Sequence, residues 1–147
     1  MKTEYFSNIT IAFMRSFGEY GYRNKVLMNH FKAYLADRHL LNDNAVLLGI
    51  ALDNPSITAK HLLRYDVGLI VEGKHPITGN LEHRQIDNGK YAIIEVNHTE
   101  QGVLDFWSNI DNLLKNLPVD NNRPIMEFYQ AKLVQQHLCE FCIPLKD

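Results

Sequence analysis

The chain writes one order of elements twice, strand–helix–strand–strand, and this repeat restricts its fold more than any other feature. Ile9-Thr10-Ile11-Ala12-Phe13-Met14 opens one half, and Lys90-Tyr91-Ala92-Ile93-Ile94-Glu95-Val96 opens the other. Each β-rich run leads to a polar corner containing glycine, Gly18-Glu19-Tyr20-Gly21 and Thr99-Glu100-Gln101-Gly102. A helical stripe follows each corner. Leu27, Phe31, Tyr34 and Leu35 fall at steps of three and four, as do Val103, Phe106, Trp107, Ile110, Leu113, Leu114 and Leu117. That spacing gives each helix one apolar face for a core. A short apolar strand comes next, at 46–52 and at 124–129. After helical connectors around 58–63 and 131–137, each half closes on a further strand, at 65–71 and 139–145.

The pattern predicts an α+β fold in one domain spanning 1–147, with a first repeat at about 5–72 and a second at about 81–147. Two β-α-β-β units related by a pseudo-two-fold would share an antiparallel sheet carrying two main helices. A central cleft is expected where they meet, because ligand pockets favour such seams. Between the halves, His83-Arg84-Gln85-Ile86 and Lys90-Tyr91-Ala92-Ile93 flank Asp87-Asn88-Gly89. Asn-Gly supplies the positive φ angles of a tight turn, so these two runs are expected to pair as a hairpin. The stretch at 73–80 is expected to be a surface excursion.

Composition narrows the function. Fifteen Lys and Arg against 17 Asp and Glu, for a net charge of −2, leave no basic footprint for direct DNA binding. No apolar run is long enough for a membrane span, and the N-terminus lacks a signal-peptide pattern, so the expected compartment is cytoplasmic. The seven histidines have no metal-ligand spacing, and Gly18-Glu19-Tyr20-Gly21 is not a phosphate loop. No cofactor and no metal are expected. Cys139 and Cys142 form the one C-x-x-C, but three positions apart on a strand they point to opposite faces. They read as two partly buried thiols. Arg64 reads as one half of a structural ion pair or a solvated contact.

The candidate binding residues come from the strands and the second helix. Period-two alternation puts Ile125, Glu127 and Tyr129 on one face of their strand and Met126 and Phe128 on the other. A carboxylate therefore stands beside a phenol. On a solvated face it does nothing special. In a cleft, it could neutralise a cationic ligand or act as a general acid or base. Trp107 has two readings as well. As a core residue its truncation would cost about 3–5 kcal/mol. As a pocket residue it would take the direction that its neighbour Phe106 does not. Tyr20, Tyr65 and Tyr91 are further candidates for an aromatic wall.

Five short patterns in order give the chain a family resemblance. They are Ala12-Phe13-Met14-Arg15-Ser16-Phe17-Gly18-Glu19-Tyr20-Gly21, Leu48-Gly49-Ile50-Ala51-Leu52-Asp53-Asn54-Pro55, Leu63-Arg64-Tyr65-Asp66-Val67, Asn88-Gly89-Lys90-Tyr91-Ala92 and Pro124-Ile125-Met126-Glu127-Phe128-Tyr129. Together they resemble the GyrI-like domain, named for the DNA gyrase inhibitor protein and found as the effector-binding module of AraC-type and MerR-type activators. One departure is Leu138-Cys139-Glu140, where a second "L-R-x-D" would carry arginine. The resemblance implies a cleft for a small lipophilic, aromatic or cationic ligand, with Glu127 inside it. With its first strand expected by about residue 9, the chain reads as a stand-alone form without a DNA-reading segment. Three functions follow by resemblance. The first is small-molecule binding in drug or toxin resistance. The second is hydrolysis of reactive cyclopropane genotoxins, with Glu127 and Tyr129 as catalytic groups and Trp107 stacking on the substrate. The third is a gyrase-directed protein interaction.

Overall fold

The computed structural model describes residues 1–72 and 81–147. The expected excursion at 73–80 lies outside the described residues. Among the described residues eight strands and four α-helices follow in chain order: β1 Lys2–Phe6, β2 Thr10–Phe17, α1 Tyr22–Asp37, β3 Val46–Ala51, β4 Arg64–Val71, β5 Glu82–Gln85, β6 Gly89–Asn97, α2 Glu100–Ser108, α3 Ile110–Leu114, β7 Met126–Gln130, α4 Ala131–Val134 and β8 Leu138–Leu145. A single turn of 3₁₀ helix, Lys60–Leu62, forms the first connector. Among these helices none is long and apolar enough to cross a membrane.

The strands form one sheet in the order β1-β6-β8-β7-β3-β4-β2-β5, antiparallel throughout. This order is symmetric about the β7–β3 pair. Exchanging β1 with β5, β6 with β2, β8 with β4 and β7 with β3 reproduces it in reverse. The repeat is therefore longer than its sequence pattern suggests, β-β-α-β-β rather than β-α-β-β. The added strands are exchanged, with β1 of the first half pairing with β6 of the second and β5 of the second pairing with β2 of the first.

The exchange corrects the expected hairpin. β5 and β6 do not pair, because β6 already has β1 on one side and β8 on the other. Asn88-Gly89 instead carries the chain from one end of the curled sheet to the other. Gly89 has a φ of 143°, and a side chain there would overlap the Arg123 guanidinium that covers it. The crossing is pinned by Ile86 N–H donating to Ile9 O at 3.0 Å and Asn8 N–H donating to Asn88 Oδ1 at 3.0 Å.

Hydrophobic burial closes the curl. Ile11 and Phe13 from β2 meet Tyr91 and Ile93 from β6 in one core with Leu48, Met126, Phe128 and Cys142. Those residues come from both ends of the sheet, so this face is the inside of a half-barrel. The outer face carries two separate cores. Phe31 and Leu35 of α1 pack on Tyr65, Val67 and Leu69 of β4. Phe106 of α2 packs on Phe141 and Ile143 of β8, its ring stacked 3.7 Å from Phe141. Thr99 starts α2 by accepting the Gly102 N–H on its hydroxyl at 2.9 Å. Asn109 breaks the expected single second helix into α2 and α3. Between the two outer cores the central strands β7 and β3 are left beneath a gap.

Candidate functional site

The gap is a cleft made of two adjoining cavities, about 640 and 420 Å³. Both lie in the volume range of small-molecule pockets. They share Asn24, Tyr65, Trp107 and Glu127 as walls. The larger cavity runs under Ile110 and Leu114 of α3, toward Asp53 and Ile125. The smaller runs between α1 and the start of α2, past Met28, His98 and Tyr129.

Glu127 stands at the junction, on the floor. The β7 alternation works as read from sequence. Met126 and Phe128 enter the inner core, while Tyr129 packs on the outer face beside the Glu127 carboxylate. The Tyr65 hydroxyl donates to Glu127 Oε1 at 3.2 Å, and the Tyr129 hydroxyl donates to Glu127 Oε2. Among the described residues no lysine, arginine or histidine forms an ion pair with this carboxylate. Burial pushes its pKa up from 4.5, partly offset by the two phenols. Both phenols are in turn held protonated by their own burial and by the neighbouring negative charge.

Gly49 makes this triad possible. It lies opposite Glu127 in the β3–β7 register. A Cβ there would overlap the Tyr65 hydroxyl and sit 3.4 Å from Glu127 Oε1. Glycine inside a strand marks close approach of another group. Here the group is the phenol that caps the carboxylate.

Trp107 settles the ambiguity of the adjacent pair. Phe106 is 2% exposed and fills the core, whereas Trp107 is 42% exposed and faces both cavities. Its core reading is therefore corrected. Trp107 remains braced edge-on against Phe106 at 5.1 Å and Phe141 at 5.4 Å. Tyr20 lines the larger cavity and meets the Tyr65 ring at 6.3 Å. Its hydroxyl donates to Arg64 O at 2.8 Å and accepts the Asp53 N–H at 3.1 Å. Arg64 pairs with Asp53, Nη2 to Oδ1 at 2.9 Å, and holds that carboxyl below the usual range. Three of the sequence patterns thus meet in one corner at the cleft rim.

Tyr91 does not join the site. It is fully buried in the inner core, its hydroxyl donating to Asp87 O at 2.8 Å and its pKa pushed up to about 12 by burial. Alternation along β6 turns its ring toward the concave side, away from the cleft. The cysteines are free, fully buried and on opposite faces. Burial pushes the Cys139 thiol up to about 11. Asp66, also fully buried, pairs with Arg15 and Arg84 at 2.6 and 2.8 Å.

Sequence reasoning missed Gly49, His98 and Lys32 as parts of the cleft. His98 lies against the Tyr129 ring at 5.4 Å, and its pKa is lowered by burial and by Lys32 and His137. A glycine inside the apolar run Val46-Leu47-Leu48-Gly49-Ile50-Ala51 was a legible signal. No pattern marked the other two.

A model of the GyrI-like small molecule binding domain matches residues 2–146. A curated relative from Bacillus subtilis (strain 168), named "SPbeta prophage-derived putative transcriptional regulator YosT", is 37% identical over 140 residues, covering 94% of this chain and 93% of its own. Among solved structures, SAV2435 bound to tetraphenylphosphonium superposes with a TM-score of 0.69 at 15% identity, over 99% of this chain and 93% of that one. EcmrR, in a cryo-EM complex with DNA, superposes with a TM-score of 0.65 at 8% identity, over 97% of this chain but 56% of EcmrR. At those identities the two structures speak to the fold alone.

Proposed function

This chain belongs to the GyrI-like small-molecule-binding family, and we propose that its cleft takes lipophilic aromatic cations, with Glu127 as the counter-charge. The observation that carries the reading is the carboxylate itself. It is half-buried on the cleft floor, held by two phenols, below a half-exposed indole, and without a basic partner among the described residues. A charge withdrawn from water in that way is costly unless a partner of opposite sign arrives. Aromatic faces add about 0.5–2 kcal/mol to a cation placed against them. The bound tetraphenylphosphonium of SAV2435 is a ligand of this chemistry on the same fold and supports the reading. The biological use we propose is sequestration of such a compound in drug or toxin resistance.

Calorimetric titration of the full chain with tetraphenylphosphonium tests this. Glu127→Gln is expected to weaken binding about tenfold, the equivalent of 1.4 kcal/mol. The pH dependence has a definite sign. A raised carboxyl pKa leaves Glu127 protonated further up the pH scale than an ordinary glutamate, so wild-type affinity falls as pH drops through that window. The variant should show a flat profile. Equal affinities for the two proteins would sink the assignment.

A second reading has one observation in its favour. The same raised pKa and adjacent phenol suit Glu127 for general acid–base work, with Tyr129 assisting. Mass spectrometry of compounds recovered from the binding assay decides between the two. An unchanged compound supports binding, and one carrying an added water supports hydrolysis.

A further inference from the structure

The two cavities differ in charge, and the difference specifies more about the ligand than a positive centre. In the larger cavity the acidic residues are Asp53, Asp111, Asp120 and the shared Glu127, and the one cationic side chain is Arg123. Arg123 is spent internally. Its Nε donates to Asp120 Oδ2 at 2.9 Å, and its remaining nitrogens donate to Asn88 O at 3.1 Å and Leu145 O at 2.5 Å. The smaller cavity holds Lys25, Lys32 and His98, with Glu127 as its acid.

These two lysines occupy one face of α1. Lys25, Met28, Asn29 and Lys32 fall at helical spacing and all line the smaller cavity. Lys25 is loosely engaged, with Nζ 3.4 Å from a Glu100 that is almost fully exposed. Such a pair contributes little and exchanges easily with water. Among the described residues Lys32 forms no ion pair. The cleft thus has a negative floor at Glu127 and a positive wall along α1, with Trp107, Tyr65 and Tyr129 between.

We propose that the cleft selects zwitterionic aromatic compounds, whose cationic centre lies over Glu127 and whose carboxylate or other anionic group reaches Lys32 and Lys25 in the smaller cavity. This rests on the cation reading and narrows it. A ligand with only a cationic centre leaves the α1 lysines facing an apolar part of the ligand. A ligand with both charges satisfies both walls and fixes its own orientation between them.

Rhodamine 110 and rhodamine 123 are a matched pair for the test, since the second is the methyl ester of the first and lacks its carboxylate. Fluorescence anisotropy is measured with the full chain as wild type, Lys32→Gln and Glu127→Gln. Wild type is expected to bind rhodamine 110 about two- to fivefold more tightly than rhodamine 123, the range an exposed ion pair can supply. Lys32→Gln should abolish that preference by weakening rhodamine 110 alone, and added salt should act in the same direction. Equal affinity of wild type for the two dyes, or a preference that survives Lys32→Gln, overturns the inference while Glu127-dependent binding of both dyes keeps the cation reading. Failure of both dyes to bind, or binding that Glu127→Gln leaves unchanged, overturns both.

Discussion

Phe106 and Trp107 are chain neighbours with opposite fates. A helix turns successive side chains about 100° apart, so only one of the two can face the sheet. Phe106 stacks on Phe141 in the outer core, and Trp107 faces the cleft. Phe106→Ala should therefore cost about 3–5 kcal/mol of stability, as expected for a ring lost from a core. Trp107→Ala should cost about 1 kcal/mol, because half of its surface is already open and only edge contacts are lost. The ligand readout reverses the order, with Trp107→Ala weakening tetraphenylphosphonium binding several-fold. Urea denaturation and calorimetry on both variants check the pair. Equal stability losses would return Trp107 to the core. At Glu127 the balance is different again. Its position costs stability at neutral pH, since a raised native pKa means that folding is favoured most where the carboxyl is protonated. The native fold tolerates that cost at the one carboxylate that the cleft places beside two phenols.

At the scale of elements, the site depends on three adjacent strands. β7 presents Glu127, β3 leaves space at Gly49, and β4 sends the Tyr65 hydroxyl across that space. Gly49→Ala would displace the hydroxyl, because the new Cβ occupies its position. Overpacking of this kind costs about 1–3 kcal/mol. The expected result is a lower Tm together with weaker tetraphenylphosphonium binding, since the carboxylate loses a donor. A variant with wild-type Tm and affinity would show that Tyr65 and Glu127 act independently of β3. The helices were easier to read than the turns. Apolar periodicity locates α1 and the α2–α3 pair, while the Asn-Gly turn predicts a β5–β6 hairpin that the sheet does not contain. Turn chemistry reports a local φ, not which strand the next segment will pair with.

At the scale of the whole molecule, the halves are tied by exchange of their first strands. β1 lies on β6, and its Phe6 ring meets Tyr91 at 4.9 Å and Phe128 at 5.5 Å in the inner core. Neither half can keep its edge strand without the other. Thermal unfolding should therefore be one cooperative transition. Deletion of residues 1–6 should lower its Tm by roughly ten degrees, from the loss of a core ring and an edge strand. Calorimetry checks both statements. Two resolved transitions in the intact chain, or an unchanged Tm in the shortened one, would refute the tie.

Local and periodic features are legible in the chain alone: the repeated order of strands and helices, the apolar faces of the helices, the opposite directions of Cys139 and Cys142, and the shared face of Glu127 and Tyr129. Each follows from backbone periods of 2 and 3.6 residues, which act over a few positions. Long-range packing set the rest. It chose β2 rather than β6 as the partner of β5, turned Tyr91 inward, left Trp107 at the cleft, and brought Lys32 and His98 to its wall. These outcomes depend on how the sheet curls and which edges are already occupied. They involve residues far apart in the chain, so no local window of sequence contains them.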